Sequence, residues 1–343
     1  MDKKYFRCAI QISLMAAILI LASCSSTPTP SVVSTATLQK ATVTPSPTLL
    51  PFTGKIAFSV YNKDMEHYRV YVMNANGSEL KDITPLNLLA IQNLAWSPDG
   101  QFLAFKADAG QVYQIFKIKS DGSGLAQLTF RDRGAGSPSW SPDGKYIMFG
   151  SSSSDILGKL DLSNQDEPVP QIYIMNPDGS DVRRFTVKTK ADNTPMIGSY
   201  RHDGLISVSE RDTRIGAITY IVDSNGVIQK QFPELPSVFP PVWSPDGKFI
   251  LFSTLRTDCS GIVIMKFDSR EEKCLIIDNR TNPPVYAGGA SWSPDGNYII
   301  FPTNLENSSG VGNLYAMKLD GSELTRLTYL STGAGDAAWS AAP

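Results

Sequence analysis

The first candidates for chemistry are aspartates that recur at a regular spacing. They stand in copies of a dozen-residue segment such as PSWSPDGKYIMF at 138–149. In Ser-Pro-Asp-Gly, Pro supplies the φ angle that a turn needs, Asp bonds the local backbone, and Gly accepts positive φ. A catalytic site is unique, whereas this motif recurs. We therefore interpret the repeated aspartates as turn residues: Asp99, Asp143, Asp203, Asp246 and Asp295.

Little else in the sequence could form a catalytic site. The two histidines are His67 and His202, and His202 occupies a turn position that is Pro in the other copies. Nothing in the sequence pairs either histidine with a nucleophile. The chain contains no G-x-S-x-G, HExxH, paired CxxC or EF-hand motif. We predict no catalytic residue, no cofactor and no metal ligands, and leave open a cation held by backbone oxygens in a central channel.

The four cysteines are Cys8, Cys24, Cys259 and Cys274. The last two form an even pair in a chain that its N-terminal sequence marks for export, and disulfides persist outside the cytoplasm. If the hairpin turns near 268–269, Cys274 faces about Val263 and not Cys259. The loop before that strand could fold back to bring Cys259 within bonding reach. Cys259 and Cys274 are therefore a candidate disulfide.

The N-terminus predicts export. The basic residues MDKKYFRC precede the apolar run AIQISLMAAILILA, which has the length of a signal peptide and is too short for a confident transmembrane helix. The following Leu-Ala-Ser-Cys resembles a bacterial lipobox. This resemblance implies removal of 1–23 and lipidation of Cys24, which anchors the chain to a membrane that it does not cross. An ordinary signal peptide with a chance cysteine is the alternative.

The composition divides the remaining chain into a tether and a folded domain. Residues 24–52 are rich in Ser, Thr and Pro, a composition typical of a disordered segment. The whole chain has 343 residues, 42% of them hydrophobic, which is sufficient for a globular core, and a formal net charge of −2. We find no basic stripe interleaved with aromatics, so a nucleic-acid surface is not expected.

The repeat itself predicts four strands in each unit. Alternating apolar residues follow each Asp-Gly turn, which is the pattern of a β-hairpin. A second hairpin with its own Asp-Gly or Asn-Gly turn comes next, as in QIYIMNPDGSDVRRFT at 171–186. One aromatic residue recurs in each unit, and we expect these large side chains to pack between neighbouring units: Trp96, Trp140, Tyr200, Trp243, Trp292 and Trp339.

The two ends of the repeat region predict a closed ring. The first unit, from Gly54, lacks a Trp strand, whereas 336–340 is a Trp strand with nothing after it. We infer that this last strand pairs into the first unit and closes an all-β, six-bladed propeller of four-stranded antiparallel blades over 53–343. The predicted blades are about 54–84 plus 336–340, 93–130, 137–187, 197–232, 240–278 and 289–328.

These repeats resemble a known family. The elements WSPDGKxIxF, IYxM, DGS and LT are similar to the TolB-type, WD-like β-propeller repeat of bacterial envelope proteins. The resemblance implies a six-bladed propeller of a kind often used for protein contacts. TolB itself carries a separate α/β domain before its propeller, and here the tether takes that place.

Candidate binding residues lie on the loops around one end of the channel, because connections between blades share a face with those between second and third strands. The predicted site contains Arg131, Arg133, Lys188, Arg211, Asp212, Arg256, Arg280 and Tyr286. The same loops carry further polar residues: Lys106, Asp108, Asp132, Asp192, Asn282 and Asp336. We expect the insertion at 150–170 to overhang this face.

The leading functional hypothesis is a non-catalytic, lipid-anchored propeller outside the cytoplasm, facing the periplasm or the cell exterior. It would bind an envelope protein, peptide or glycan through its loop face, as a monomer. Two alternatives stay open. The first is an enzyme that acts on polysaccharide as a lyase or glycosidase, with loop residues as acid and base. The second is a sensor or assembly subunit of an envelope complex.

Overall fold

The computed structural model describes residues 52–62, 67–85, 88–110, 112–151, 171–185, 196–212, 216–232, 241–256, 259–275, 289–304, 312–330 and 333–340. The chain divides into two compact units, Met1–Thr44 and Pro45–Pro343, and every described residue lies in the second. Cys24, the tether up to residue 51 and residues 152–170 of the insertion fall outside the described residues. The described part contains no helix long and apolar enough to cross a bilayer.

Twenty-four described strands, numbered in chain order, form six four-stranded antiparallel sheets. From inner to outer strand, blade 1 consists of β24 (Ala334–Ser340), β1 (Lys55–Asn62), β2 (His67–Asn74) and β3 (Lys81–Asp82). Blade 2 consists of β4 (Leu89–Trp96), β5 (Phe102–Asp108), β6 (Tyr113–Lys119) and β7 (Ala126–Gln127). Blade 3 consists of β8 (Ala135–Trp140), β9 (Ile147–Ser151), β10 (Gln171–Met175) and β11 (Arg183–Phe185).

The other three blades repeat this order. Blade 4 consists of β12 (Met196–Tyr200), β13 (Ile206–Asp212), β14 (Gly216–Val222) and β15 (Ile228–Phe232). Blade 5 consists of β16 (Val242–Trp243), β17 (Phe249–Leu255), β18 (Ser260–Lys266) and β19 (Glu272–Cys274). Blade 6 consists of β20 (Ser291–Trp292), β21 (Tyr298–Thr303), β22 (Asn313–Lys318) and β23 (Thr325–Arg326). The predicted all-β, six-bladed propeller is confirmed.

The last strand closes the ring, as predicted. β24 pairs antiparallel with β1, so that Trp339 lies opposite Ile56. Gly54 has a φ of 89°, and a Cβ there would lie 2.1 Å from the carbonyl oxygen of Ser340, so only glycine fits this junction. The Trp339 indole N–H donates to the Thr53 carbonyl at 2.9 Å. Both ends of the repeat region therefore meet in blade 1.

The apolar core lies between neighbouring blades. Strands next to the innermost one are buried on both faces because a blade packs against each side, and Phe58, Phe105, Phe149 and Phe301 are among the most buried side chains. One cluster contains Phe58 of blade 1 together with Ile300 and Leu314 of blade 6. Since such a cluster also joins the first and last blades, burial of apolar area holds the ring shut.

The repeated tryptophans add hydrogen bonds between inner strands. The indole N–H of Trp140 in blade 3 donates to the carbonyl of Ala95 in blade 2 at 3.2 Å, and that of Trp96 donates to Ala338 in blade 1 at 3.1 Å. The Trp292 indole N–H likewise donates to Val242 in blade 5 at 3.1 Å. These three indoles thus pack their rings and also link one blade to the one before it.

The Ser-Pro-Asp-Gly turns are internally hydrogen-bonded. In blade 3, Ser141 donates its hydroxyl to Asp143 Oδ1 at 2.7 Å, and the Lys145 N–H donates to the same oxygen at 3.1 Å. The Tyr146 N–H donates to Ser141 Oγ at 3.0 Å. Equivalent serine-to-aspartate bonds occur at Asp99, Asp246 and Asp295. In blade 4, Arg201 replaces the serine and forms an ion pair with Asp203.

Blade 5 contains the described cysteine pair. Cys274 lies opposite Val263 in the β18–β19 register. Cys259 lies one residue before β18, and its sulfur is bonded to that of Cys274, with a Cα–Cα distance of 6.0 Å. The short segment that precedes β18 therefore brings Cys259 to the outer strand of its own blade.

Candidate functional site

The propeller has two faces of different character. Because all strands in a blade are antiparallel, turns after the first and third strands share one face, which we call the turn face. Connections after the second and fourth strands share the opposite face, which we call the loop face. The Ser-Pro-Asp-Gly turns all lie on the turn face, whereas those predicted binding residues that the structure describes belong to the loop face.

The carboxylates of the turn face are used by their own turns. Hydrogen bonds from Ser141 and then Lys145 lower the pKa of Asp143 to about 2. The hydrogen bond from the Arg201 guanidinium lowers the pKa of Asp203 to about 2 as well. A carboxylate held ionised in this way is a poor proton donor near neutral pH. We therefore assign Asp143 and Asp203 to their turns.

A channel of about 430 Å³ runs between the inner strands of all six blades. Its walls include many small residues, among them Ala95, Ala337, Ala338, Gly198 and Gly289. Asp336 is the one carboxylate and His202 the one imidazole among the described lining residues. Asp336 lies near the start of β24, towards the loop face, and His202 lies in a turn at the other end.

Asp336 is held by a neighbouring blade. β4 has register shifts on both sides of Gln92, and Asn93 has a φ of 54°, so the Asn93 N–H leaves the ladder of its own sheet. This N–H donates to Asp336 Oδ2 at 2.5 Å. Burial raises the pKa of Asp336, while the Asn93 N–H and the charge of Lys106 oppose the rise.

Lys106 completes this charged group at the loop-face end. Its Nζ lies 4.2 Å from the ring centre of Tyr113. Burial lowers the pKa of Lys106, and the negative charge of Asp336 opposes that shift. Burial therefore displaces the two pKa values towards each other, and shifts of this kind are common at functional sites.

The described part of the predicted loop site is only partly assembled. Arg256 forms an ion pair with Glu272 of its own blade at 2.7 Å. Arg131 is half-buried and Arg133 is exposed, both in the connection between blades 2 and 3. Arg211 and Asp212 end β13, opposite Ala217 and Gly216. Lys188, Arg280 and Tyr286 lie outside the described residues.

Sequence reasoning missed two buried amides on this face. Gln114 in β6 and Asn313 in β22 are 3% and 2% exposed, and both hydrogen-bond the connection that leaves their blade. The signal was a polar residue at an otherwise apolar strand position, in QIFKIK and NLYAMK.

The described residues contain no group of three or more His, Cys, Asp or Glu side chains that could hold a metal ion.

Six antiparallel blades around one channel define this chain as a six-bladed β-propeller. Residues 31–169 match the family model described as PD40, TolB beta propeller domain. Over those residues the chain is similar to the TolB-type propeller repeat. A search of the curated proteins finds no significant match.

Solved structures share the fold at low sequence identity. TolB from Acinetobacter baumannii is 21% identical, with a TM-score of 0.66 over 84% of this chain and 67% of that chain. Hydrazine synthase from Kuenenia stuttgartiensis is 13% identical, with a TM-score of 0.63 over 86% of this chain and 47% of that one. A chain of a nidogen/laminin complex is 13% identical, with a TM-score of 0.59 over 83% of this chain and 98% of that chain. The fold therefore occurs both in an enzyme and in a protein complex.

Proposed function

We propose that this chain is a membrane-anchored, extracytoplasmic propeller that binds a protein partner through its loop face and does not itself catalyse a reaction. The observation that carries the proposal is the difference between the two faces. Turn-face carboxylates such as Asp143 and Asp246 are occupied by their own turns. Loop-face side chains differ from blade to blade, as recognition residues do on other rigid scaffolds.

The closed ring favours such a role energetically. A scaffold whose loops are already ordered loses little conformational entropy when it binds a partner. The connection after blade 2 is an example, because the buried Gln114 holds its backbone at both the N–H and the carbonyl of Arg131, at 3.0 and 2.6 Å. One solved structure that shares the fold belongs to a nidogen/laminin complex, which is an assembly of proteins.

The proposed anchor is the lipid at Cys24. The basic start, the apolar run and the Leu-Ala-Ser-Cys sequence support cleavage at this cysteine. Metabolic labelling with a palmitate analogue in a bacterial host tests it directly. We expect label on the parent and none on Cys24→Ala, with Cys8→Ala as the labelled control. An unlabelled parent would remove the anchor from the proposal and leave partner binding untouched.

Binding is tested by recovering partners from envelope extract with immobilised 53–343. Loop-face variants Arg131→Ala and Arg133→Ala should reduce recovery of a stoichiometric partner. Turn-face variants Lys145→Ala and Lys248→Ala, which remove exposed lysines paired with Asp143 and Asp246, should not. If the turn-face variants abolish recovery and the loop-face variants do not, the proposed face is wrong.

One observation favours the enzymatic alternative. Asp336 and Lys106 have pKa values shifted towards each other at the loop-face end of the channel, as general acids and bases often do. Depolymerisation of envelope polysaccharide by the purified chain, abolished by Asp336→Asn, would establish an enzyme. Absence of products with parent and variant alike favours the binding role.

A further inference from the structure

Two exposed aromatic rings occupy equivalent places on the loop face. Phe130 is 75% exposed and Tyr329 is 63% exposed, more than any other large apolar side chain among the described residues. Each follows a Leu-Thr pair at the end of the outer strand of its blade, Phe130 in blade 2 and Tyr329 in blade 6. The same exposed position is therefore aromatic in both blades that flank blade 1.

In blade 2, hydrogen bonds fix the backbone on both sides of Phe130. Gln114 Oε1 accepts from the Thr129 hydroxyl at 2.8 Å and from the Arg131 N–H at 3.0 Å. Gln114 Nε2 donates to the Arg131 carbonyl at 2.6 Å. Gln127 Nε2 donates to the Thr129 carbonyl at 2.8 Å. Residues 129 and 131 are thus held by side chains, while the ring between them points to solvent.

Blade 6 repeats this arrangement around Tyr329. Asn313 Oδ1 accepts from the Thr328 hydroxyl at 3.2 Å and from the Leu330 N–H at 2.8 Å. Arg326 Nε donates to the Thr328 carbonyl at 2.7 Å, in the place of Gln127. In both blades the threonine hydroxyl also accepts a backbone N–H, from Ile115 and Leu314, at 2.8 and 2.9 Å.

Blade 1 lacks both the amide and the aromatic. Its Thr84 hydroxyl accepts the Val70 N–H at 2.8 Å, but Arg69 stands in place of the amide and pairs with Asp82. Pro85 follows the threonine. Blades 2 and 6 thus each combine the buried amide with the exposed ring, and blade 1 has neither. Folding gains little from a ring left in water. The amide holds the backbone next to that ring in both blades that carry one.

Basic side chains accompany both rings. Arg131 follows Phe130 directly, and Arg133 comes two residues later, with Asp132 between the two arginines. The Arg326 guanidinium carbon lies 4.5 Å from the ring centre of Tyr329. Each ring thus adjoins an excess of positive charge. An apolar group flanked by carboxylates matches such a surface better than a basic or neutral partner does.

We propose that Phe130 and Tyr329 are the anchor residues through which the loop face binds an acidic protein segment carrying apolar side chains. This inference rests on the proposed binding function and specifies its partner chemistry. Exposed aromatic residues on ordered backbone are well suited to act as binding hot spots, because burying them gains area at a small entropic cost.

The test uses a random dodecapeptide phage library panned on the immobilised full-length protein. We expect enrichment of peptides that combine Asp or Glu with aromatic or aliphatic residues. For a selected peptide, Phe130→Ala and Tyr329→Ala should each weaken affinity about 10- to 30-fold, as loss of a hot spot does. Leu80→Ala and Val227→Ala remove turn-face apolar side chains that are 54% and 55% exposed, and should leave affinity unchanged.

The outcomes separate this inference from the function on which it rests. Selected peptides that are basic or neutral, or an unchanged affinity in both aromatic variants, would overturn the assignment of Phe130 and Tyr329 while loop-face binding could still stand. Loss of affinity in the turn-face controls would overturn both. The parent protein could instead retain neutral envelope glycans and no acidic peptides. If the aromatic variants then failed to retain these glycans, the partner would be a carbohydrate and not a protein. Unfolding midpoints matching the parent's confirm that the variants fold.

Discussion

Asp143 and Asp336 have pKa values shifted in opposite directions, and their surroundings explain the difference. Asp143 lies in an exposed turn and accepts hydrogen bonds from Ser141 and Lys145, which favour the ionised form. Asp336 lies within the channel, where burial disfavours the charge. At the scale of single residues, chemistry therefore depends on position in the ring and not on residue type.

The hydrogen bond from Ser141 is the largest cause of the low pKa of Asp143. We predict that Ser141→Ala raises this pKa from about 2 towards its ordinary 3.8. Because the folded pKa is depressed, the stability contributed by Asp143 is present above the ordinary pKa and is lost as pH falls towards the folded value. The variant should lose the part of this acid dependence that depends on the Ser141 hydroxyl, while the bonds from Lys145 remain. An NMR titration of the Asp143 carboxyl carbon measures the shift, and an unchanged pKa would contradict the assigned cause.

Asp336 should affect the pH dependence of stability in the opposite direction to Asp143, and Asp336→Asn tests this. With a raised folded pKa, the folded chain retains this proton more firmly than the unfolded chain does, so stability decreases as pH rises from about 3.8 through the folded pKa. The variant lacks this decrease. Its urea midpoint relative to the parent should therefore increase between about pH 4 and 7. A relative midpoint that stays constant over this range would show that the carboxylate is not buried.

At the scale of elements, each blade is a local hairpin unit joined to its neighbours by side chains. The Trp140 indole bridges blades 3 and 2, and Phe149 stacks on Tyr173 within blade 3 at 5.7 Å. Outer strands such as β3 and β7 are only two residues long and have fewer such contacts. Covalent bonding of an outer strand should therefore have a measurable effect.

The Cys259–Cys274 disulfide is that covalent bond in blade 5. It closes a loop with a sequence separation of 15, and a loop of that length stabilises a fold by about 3 kcal/mol through the entropy of the unfolded chain. Reduction should lower the unfolding free energy by that order, measured by urea titration with and without dithiothreitol. The double variant Cys259→Ser and Cys274→Ser is the control and should not respond to the reductant. An equal response of parent and control would show that the bond does not form.

At the scale of the molecule, closure of the ring determines stability. β24 pairs with β1 of its own blade. It contributes Trp339, which is 8% exposed and packs in the apolar cluster shared with blade 6. Without it, β1 would become an unpaired edge beside an open apolar cluster.

Removal of residues 334–343 should lower the melting temperature by roughly 10 °C or more, because loss of one buried Trp alone costs about 3 to 5 kcal/mol. Truncation after Ser340 retains β24 and is the matched control. Gly54→Ala should also destabilise the fold, because its Cβ would meet the Ser340 carbonyl oxygen. Calorimetry of the three proteins measures the effect, and a truncated chain as stable as the control would show that the ring does not depend on its last strand.

The sequence by itself determined the number of blades and the way the ring closes. Trp96 and its five counterparts recur in register, and the unpaired strand at 336–340 complements the unit that starts at Gly54. Such features are readable because a hairpin forms between residues close in sequence, so its turn residues and apolar alternation are written locally.

Only the tertiary structure decided what lies at the loop face. It placed Asp336 against Asn93, 243 positions away, and it joined Gln114 to Thr129 and Arg131 so that Phe130 stays exposed. The tertiary structure also brought Cys259 to Cys274. The strand register alone places Cys274 opposite Val263. These contacts depend on how strands and connections pack in three dimensions. Burial, pKa and exposure are properties of that packing, and no local pattern of residues specifies them.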